Sequence, residues 1–306
     1  MRAMAGKYAV AQHIKTGLER TMNRSDFRYF ERLRVRWAEV DMQQIVFNGH
    51  YLMYFDTAVA GYWRALAMPY HETMQQLQGD LFVRKATLEY EASARYDDQL
   101  HIGIRCGRIG TSSMVLHAAV FRGEQRLVHG DLVYVFADPA THKSKPVPPV
   151  LRSVFEDFEA GRPVLDVAVG SWDALGEQAR TIREAVFVEE QQIPADMVVD
   201  AHDDSAVHAV ARNHFGLAVA SGRLLAATDG VARIGRMATL AGLRGAGLGQ
   251  SVLDALLDTA RRRGDRHVVL AAQVAAAPFY ARSGFVRSGV EFVEAGLPHI
   301  EMRLAL

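Results

Sequence analysis

The sequence predicts a two-domain α+β protein, and three features of the chain support this fold class. Its 306 residues are an ordinary length for two domains that each bury a core. In the first half a single apolar helix is followed only by strands, which predicts an antiparallel sheet wrapped on a central helix. In the second half strands and helices surround a glycine-rich turn, which predicts a mixed α/β sheet. A proline-rich stretch joins the halves, so we place the domains at residues 25–162 and 163–306.

The composition argues against several classes of function. Lys plus Arg and Asp plus Glu both number 35, so no basic nucleic-acid-binding face is predicted. The single cysteine, Cys106, excludes an intramolecular disulfide and a cysteine-based zinc site, and it favours a reducing, cytoplasmic compartment. No apolar run approaches the ~18 residues of a membrane span. We interpret residues 1–24 as a leader or an additional helix.

The first half contains one strand, one helix and then four strands. Arginine and apolar side chains alternate over residues 32–37, which predicts a half-buried strand. Asn48-Gly49 then marks a helix start. Apolar residues follow at helical spacing and predict a buried helix; they are Leu52, Phe55, Val59, Tyr62, Trp63 and Leu66. The four later strands are expected to form an antiparallel meander, and they lie at residues 81–91, 99–105, 113–121 and 127–136.

The second half begins with a strand at residues 164–169 and a helix that runs from Ser171 to about Phe187. Three strands of a meander are then expected, with Ser221-Gly222 as the turn between the last two. These strands lie at residues 206–211, 215–220 and 223–228. The remaining elements are a strand at 231–240, a helix after the glycine-rich turn, a strand at 267–272, a helix at 275–283 and a final strand pair.

The glycine-rich turn, Arg244–Gly249, has the composition of a phosphate-binding loop. Glycines at 245, 247 and 249 allow backbone N–H groups to converge at the start of a helix, where the helix dipole favours an anion. No Lys-Ser/Thr follows the last glycine, so the loop is not the P-loop of nucleotide hydrolases. The glycine spacing also differs from that of dinucleotide-binding folds. The loop therefore predicts a pyrophosphate site, and a purely structural glycine turn is the alternative.

Residues 27–150 resemble the hotdog acyl-CoA thioesterases of the 4-hydroxybenzoyl-CoA thioesterase-like branch. The resemblance rests on Arg36–Asp41, Val46–Asn48 and Tyr51–Phe55, and on the later stretch from Tyr90 to Leu100. One position departs from the family pattern, because the glycine that usually follows the aspartate is Gln44 here. The resemblance implies a hotdog fold, and a homodimer or higher oligomer in which a second subunit completes the active-site groove.

Thioester hydrolysis needs a carboxylate that attacks the carbonyl or activates water, and donors for the developing oxyanion. With the family pattern, Asp41 is the predicted nucleophile or base, and the amides at the helix start are the predicted donors. Asn48 either positions the carbonyl or caps the helix. Turn and capping bonds are the structural alternative for both residues. Further candidates, more readily explained as solvated or structural, are Glu39, His50, Asp56 and Glu89.

Residues 165–306 resemble the GNAT N-acetyltransferases. The Arg-x-x-Gly-x-Gly loop is similar to the acetyl-CoA loop of that family, and Ala277–Phe285 is similar to its second signature. Arg183–Gln192 and Glu294–Met302 further resemble the small bacterial ElaA-like branch. The resemblance implies that Met237 and Thr239 pair their backbone with the pantetheine arm. It also implies a set of pyrophosphate ligands: Arg244, Gly245, Gly247, Leu248, Gly249 and Gln250.

Tyr280 is the residue that, by the same resemblance, protonates the departing CoA thiolate. The ordinary pKa values of tyrosine and a thiol differ by only ~1.5 units, which makes this transfer plausible. A core tyrosine with a bonded hydroxyl is the alternative. No residue is assigned as the base for the amine. Four side chains are possible bases, each with a structural alternative: Glu184, His208, Glu294 and His299.

These resemblances together predict a bifunctional enzyme that uses acyl-CoA, including acetyl-CoA, as substrate. The first domain would hydrolyse an acyl-CoA, and the second would transfer an acyl group, expected to be acetyl, to an amine. In the alternative, one domain is a non-catalytic CoA sensor or an oligomerisation module. No metal is expected. A polar stretch with the residues Asp200, His202, Asp203 and Asp204 is interpreted as a solvated loop rather than a metal site.

Overall fold

The computed structural model describes residues 22–306. Residues 1–21, which carry most of the predicted leader, lie outside the described residues. Within the described range the chain forms two β-sheets, one in each half, with six α-helices packed around them. None of these helices combines the length and the apolar character needed to cross a bilayer.

The first sheet has five antiparallel strands in the order β1-β3-β4-β5-β2. The strands are β1 (Tyr29–Arg34), β2 (Asp80–Tyr90), β3 (Gln99–Ile109), β4 (Ser113–Arg122) and β5 (Gln125–Ala137). The predicted four-strand meander is wrong at one strand, because β2 pairs with β5 instead of β3. This crossing puts β1 and β2 at opposite edges, and the sheet can then curl around the central helix from both sides.

Helix α1 (Asn48–Ala65) is the core element of the first half. Its aromatic side chains face the sheet, and those buried are Tyr51, Tyr54, Phe55, Tyr62 and Trp63. Each large apolar side chain buried in this way contributes roughly 1.5–3 kcal/mol. Leu52, which the sequence placed on the buried stripe, is instead 43% exposed beside Met53. Helices α2 (Tyr70–Gln76) and α3 (Pro149–Glu159) close the open end of this core.

The second sheet has seven strands in the order β11-β12-β10-β9-β8-β7-β6. They are β6 (Leu165–Gly170), β7 (Val207–Asn213), β8 (Ala218–Leu224), β9 (Val231–Thr239), β10 (His267–Gln273), β11 (Val286–Glu294) and β12 (Leu297–Ala305). All neighbours are antiparallel except β9 and β10, which are parallel. The predicted mixed sheet is therefore confirmed.

The predicted turn at Ser221-Gly222 is wrong, because both residues lie inside β8 and pair with β7. The reason for the glycine is close packing. A Cβ atom on Gly222 would lie 2.4 Å from the Met237 sulfur and 2.9 Å from a methyl group of Leu256. The Ser-Gly pair that indicated a turn in the sequence is present instead because side chains pack closely against the strand at this point.

Helices cover both faces of the second sheet. Helix α4 (Trp172–Arg183) packs on one face and continues as a π-helical segment, Glu184–Glu190. Helix α5 (Leu248–Arg263) packs on the other face, and the short helix α6 (Ala277–Arg282) lies on the same side as α5.

The two halves contact each other at the end of α1. The Asn213 side chain donates from Nδ2 to the carbonyl of Ala67 at 2.9 Å, while its Oδ1 accepts bonds from the N–H groups of Phe215 and Leu217. Phe215 is buried in the core of the first half, although it belongs to the second. The predicted boundary at residue 163 falls between α3 and β6, and it stays a prediction.

Candidate active sites

In the first half, the loop that enters α1 is closed by backbone bonds. Val40 and Val46 form an isolated antiparallel bridge. Inside it the Asp41 N–H donates to the carbonyl of Ile45 at 2.9 Å, and the Gln44 N–H donates to the carbonyl of Asp41 at 2.9 Å. The loop thus fixes the position of Asp41 relative to the helix start.

Gln44 adopts a left-handed conformation with a φ of 62°. Glycine adopts this conformation with the least strain, whereas other residues reach it at a cost. The residue that departs from the family pattern therefore keeps the backbone conformation that a glycine would favour there. The departure at Gln44 changes the side chain without opening the loop.

The Asp41 carboxylate is anchored through one oxygen. Its Oδ1 accepts a 2.8 Å hydrogen bond from the N–H of Gln43, while no hydrogen bond or ion pair from residues 22–306 reaches Oδ2. The residue is partly exposed. One oxygen is therefore held in place and the other is available to a substrate or to water.

The start of α1 offers backbone donors close to this loop. The residue before the helix is Phe47, and no side chain caps the helix end. Asn48 therefore does not make the capping bond considered above; its backbone carbonyl accepts a 3.2 Å bond from the hydroxyl of Tyr90. The first N–H groups of an α-helix have no partner within the helix. Those of Asn48 and Gly49 have no other partner in the described part of the chain.

Of the further candidates in this half, Glu39 has a structural role. It is buried, and it accepts bonds from Arg36 and a 2.8 Å bond from the Tyr54 hydroxyl. Burial alone would raise the pKa of Glu39, but these hydrogen bonds outweigh it and hold the pKa below the ordinary value. A fully paired carboxylate has no oxygen left for substrate. Asp56 and Glu89 are exposed, and His50 packs edge-on against Phe47.

Exposed apolar side chains surround the Asp41 loop and the outer face of α1. Phe47 is 53% exposed and Met53 is 56% exposed. The others in this set are Trp37, Met42, Leu52, Tyr90 and Tyr96. A cluster of this kind on a folded domain marks an interaction surface.

In the second half, the glycine-rich loop shows the backbone conformation that the sequence suggested. Gly245 and Gly247 have φ values of 84° and 87°, and a Cβ atom at either would meet no neighbour within 4 Å. Conformation, and not packing, therefore requires these two glycines. Gly247 immediately precedes α5, so the free amides of the helix start face out beside it. At Gly249 the requirement is packing, because a Cβ atom there would lie 3.1 Å from Oγ1 of Thr239.

Two predicted pyrophosphate ligands can contribute only part of their polar groups. The Leu248 side chain is buried in the core, so only its backbone N–H can face a phosphate. The Gln250 side chain donates to Asp254 at 2.8 Å and to the Ser283 hydroxyl at 3.0 Å.

Next to this loop, β9 and β10 separate. Their parallel pairing covers only Val231–Arg233 of β9, although β9 continues to Thr239 and β10 to Gln273. Beyond Arg233 the edge of β9 that faces β10 has no strand partner in the described chain. Met237 and Thr239 lie on this free stretch, where backbone groups other than the Thr239 carbonyl, which accepts a bond from Arg244, are available to an extended ligand.

Arg244 already has a partner on the protein. Its guanidinium donates two parallel bonds of 2.6 Å to the carboxylate of Glu190, and its Nε donates to the Thr239 carbonyl at 3.2 Å. These bonds hold the pKa of Glu190 below its ordinary value, so the carboxylate is charged at neutral pH. A phosphate that binds Arg244 must compete with Glu190.

The Tyr280 hydroxyl opens onto a groove of about 850 Å³ that also contains the glycine-rich loop. Its ring packs edge-on against Phe279 and Phe285, and its hydroxyl has no hydrogen-bond partner among residues 22–306. It is therefore not a core tyrosine with a bonded hydroxyl. Burial raises the pKa of Tyr280 to about 12. A thiol has a pKa of about 8.5, so full proton transfer from Tyr280 to a thiolate is unfavourable by roughly 3.5 pKa units. Donation of a hydrogen bond from Tyr280 to the sulfur therefore fits better than proton transfer.

The polar stretch at residues 200–204 is not simply a solvated loop. Asp203 is buried with Arg183 at 2.9 Å, and Asp200 makes a bidentate pair with Arg223. These ion pairs fasten the stretch to the sheet, while His202 and Asp204 are exposed. Within residues 22–306 no group of three or more His, Cys, Asp or Glu side chains could hold a metal ion.

Burial raises the pKa of the Cys106 thiol to about 12, which leaves it unreactive at neutral pH.

Glu190 is the functional-site residue that sequence reasoning missed. It lies within the Arg183–Gln192 stretch that carries part of the resemblance, but nothing in that stretch indicates a contact with Arg244, 54 residues later.

Comparison with known proteins gives matches for each half of the chain. Residues 43–129 match the family model described as thioesterase superfamily, and residues 176–306 match the model described as acetyltransferase (GNAT) domain. "Uncharacterized N-acetyltransferase YjcF" of Bacillus subtilis (strain 168) is 36% identical over 122 residues, which are 40% of this chain and 86% of that protein. "Acyl-CoA thioester hydrolase YbgC" of Escherichia coli O157:H7 is 27% identical over 142 residues, 45% of this chain and 99% of that protein.

Proposed function

The chain belongs to the GNAT acetyltransferases through its second half and carries a thioesterase-superfamily hotdog domain in its first, and from this premise we propose that it is bifunctional. The domain at residues 25–162 hydrolyses an acyl-CoA, with Asp41 as nucleophile or base. The domain at residues 163–306 transfers an acyl group, acetyl in the first instance, from CoA to an amine. The cytoplasmic location stays a prediction from the composition.

The hydrolase half of the proposal rests on Asp41. Its unbonded Oδ2 and the unpaired amides of Asn48 and Gly49 belong to one short loop and one helix start. In the proposed reaction the carboxylate attacks the thioester carbonyl or activates water, and the amides stabilise the oxyanion. Asn48 positions the carbonyl oxygen. The helix dipole adds to the stabilisation, because its positive end lies at the same place.

A second copy of the chain is part of this proposal. The apolar side chains around the Asp41 loop are exposed on one chain, and β2 is an edge strand of 11 residues with an open side. Unpaired edges and apolar patches of this kind favour association. We therefore infer a homodimer or higher oligomer formed through the hotdog domain, whose partner subunit closes the groove beside Asp41.

The transferase half rests on the groove between β9 and β10. The glycine-rich loop and Arg244 line one end of it, and Tyr280 lines its wall. In the proposed complex the amides of Gly245, Leu248 and Gly249 hold the pyrophosphate. The free edge of β9 at Met237 and Thr239 pairs with the pantetheine amides. Tyr280 donates a hydrogen bond to the sulfur as it leaves.

Release of CoA thiol from a panel of acyl-CoAs, without added amine, tests the hydrolase assignment. We expect wild type to hydrolyse some of them, and Asp41→Asn, which keeps the shape of the side chain, to lose at least ~100-fold in rate. Glu124→Gln is the control, since it neutralises a carboxylate whose side chain is 88% exposed in the turn between β4 and β5, and it should keep the wild-type rate.

The same panel addresses the alternative in which one domain only senses CoA. Folded wild type that binds CoA but cleaves no acyl-CoA would contradict the hydrolase proposal and favour the sensor. The departure from the family pattern at Gln44 does not by itself support the sensor, because this residue has the left-handed backbone conformation that a glycine would favour.

A further inference from the structure

His299 lines the same groove as the glycine-rich loop, and its surroundings leave one ring nitrogen able to accept a proton. The ring is buried in β12, yet it lines the groove. Its Nδ1 lies 2.9 Å from the carbonyl oxygen of Leu297. A carbonyl oxygen can only accept, so in the neutral ring Nδ1 carries the hydrogen and Nε2 keeps its lone pair.

The Nε2 atom is open to the groove. It has no hydrogen-bond partner in the described part of the chain, and it is not among the buried polar atoms sealed from solvent. The Phe292 ring stacks on the His299 ring, with 5.9 Å between the ring centroids and an interplanar angle of 25°. The structure therefore fixes both the tautomer and the plane of the ring.

Strand register puts His299 and Tyr280 on opposite faces of the sheet. His299 pairs directly with Gln273 of β10, and directly paired residues point to the same face. The next residues along, Ala272 and Ile300, point to the other face, where they share a core with Tyr280. The gap between β9 and β10 joins the two faces, so a thioester lying in it has Tyr280 on one side and His299 on the other.

The neighbours of His299 leave this role open to it. Gln273 on β10 is neutral and donates to Gln191 at 3.0 Å. Glu301, two residues along the same face of β12, pairs with Arg233 of β9 at 3.3 Å. Besides Tyr280, the further ionisable groups that line the groove are Glu294 of β11 and the arginines Arg223, Arg233, Arg236, Arg244 and Arg282. Of these arginines, Arg223 and Arg236 are paired with Asp200. The other two histidine and glutamate candidates do not fit, since His208 is buried against Asp203 and Arg183, and Glu184 is exposed outside the groove.

We propose that His299 is the general base for the amine acceptor, an inference that rests on the proposed transferase activity. The acceptor in this proposal is a primary amine that arrives protonated at neutral pH. The Nε2 lone pair takes one proton from the ammonium group, which frees the nitrogen lone pair, and the imidazolium passes that proton to water. The free amine then attacks the thioester carbonyl, and the C–S bond breaks as the sulfur leaves with the electron pair as a thiolate that Tyr280 hydrogen-bonds. The second proton lost from the nitrogen goes to the thiolate, which gives the amide and the CoA thiol.

The test compares two probes, ethanolamine and hydroxylamine, as acceptors in CoA release from acetyl-CoA. Ethanolamine is protonated at neutral pH and needs a base, whereas hydroxylamine is already unprotonated. His299→Asn keeps a donor for the Leu297 carbonyl but removes the basic nitrogen. We expect it to lose about 100-fold with ethanolamine and far less with hydroxylamine.

The controls separate base catalysis from folding and from binding. His267→Asn removes a ring from β10 outside the groove and should retain the wild-type rates. The melting temperature and the affinity for CoA should be unchanged in His299→Asn. Equal losses with both acceptors would indicate a structural role and overturn the proposal, as would a selective loss in Glu294→Gln instead.

A spectroscopic measurement keeps the inference separate from the transferase activity itself. Long-range ¹H–¹⁵N correlation on protein labelled with ¹⁵N-histidine, assigned with His299→Asn, should show Nδ1 protonated and Nε2 unprotonated. A neutral ring with the proton on Nε2 would overturn the assignment of the base. Wild type with the predicted tautomer that transfers to neither probe would instead contradict the transferase proposal, and with it any base for that reaction.

Discussion

The two candidate sites differ in how much of each a single chain supplies. The groove between β9 and β10 has its glycine-rich loop, its free strand edge and the side chains of Tyr280 and His299 within one domain. The Asp41 site has one carboxylate and a helix start, and the apolar side chains around it face solvent. In our proposal both sites use an acyl-CoA, but only the second is complete within one chain, whereas the first needs a second copy of the chain to close it.

The difference extends to charge. At the second site Arg244 is held by Glu190, so the phosphate-binding cation is ordered by a carboxylate that a ligand must displace. At the first site the Oδ2 of Asp41 has no competing partner in the described chain. We therefore expect the Glu190–Arg244 pair to lower the net affinity for CoA, whereas the unpaired oxygen of Asp41 would be available as soon as a substrate binds.

The experiment with the larger expected effect removes the competition between Glu190 and a phosphate for Arg244. Glu190→Gln should bind CoA more tightly, about fivefold if the exposed pair is worth ~1 kcal/mol. Titration calorimetry with CoA and with pantetheine measures the effect, and pantetheine, which lacks the pyrophosphate, should show no change. Glu189→Gln is the matched control, because it removes an equal charge next to Glu190 from a residue that does not pair with Arg244. Weaker binding by Glu190→Gln would show that the pair orders Arg244 and does not compete.

The smaller effect concerns the backbone of the Asp41 loop. Gln44→Gly removes the strain of a non-glycine residue in the left-handed conformation, but it also increases the conformational freedom of the unfolded chain. We therefore expect the free energy of unfolding, measured with urea, to rise by about 0–1 kcal/mol. Gln43→Gly, whose φ is not positive, should destabilise by about 0.5–1 kcal/mol. A clear loss of stability in Gln44→Gly would mean that the glutamine side chain, and not the backbone conformation, holds the loop.

The sequence predicted the helices and strands better than it predicted which strands pair with each other. Asn48-Gly49 marked the start of α1, and the aromatic spacing identified its buried face, because helical periodicity records burial directly. The pairing of β2 with β5 was not predictable from local pattern, since an edge strand alternates like any other. Ser221-Gly222 gave the signal of a turn, although the glycine is there for the contacts of Met237 and Leu256.

The sites show the same division between local and long-range information. Gly245 and Gly247 were predictable, because their conformational requirement lies in the loop itself. The pairing of Glu190 with Arg244 and the tautomer of His299 were not, because each depends on a contact that folding creates. Leu52 was assigned to the core, yet it is exposed, and this exposure is one of the observations on which our proposal of a second subunit over α1 rests.

The most direct test of the difference between the sites is a charge placed on the exposed face of α1. Met53→Asp should shift the wild-type oligomer towards monomer in sedimentation velocity, and its amine-independent hydrolysis of acyl-CoA should fall about 10-fold or more with the loss of the partner subunit. Amine-dependent release of CoA from acetyl-CoA should persist at the wild-type rate. Val290→Asp, at an exposed apolar residue of β11, is the control and should change neither activity nor assembly. A monomeric wild type that hydrolyses acyl-CoA, or a monomeric Met53→Asp that does so at full rate, would contradict the account.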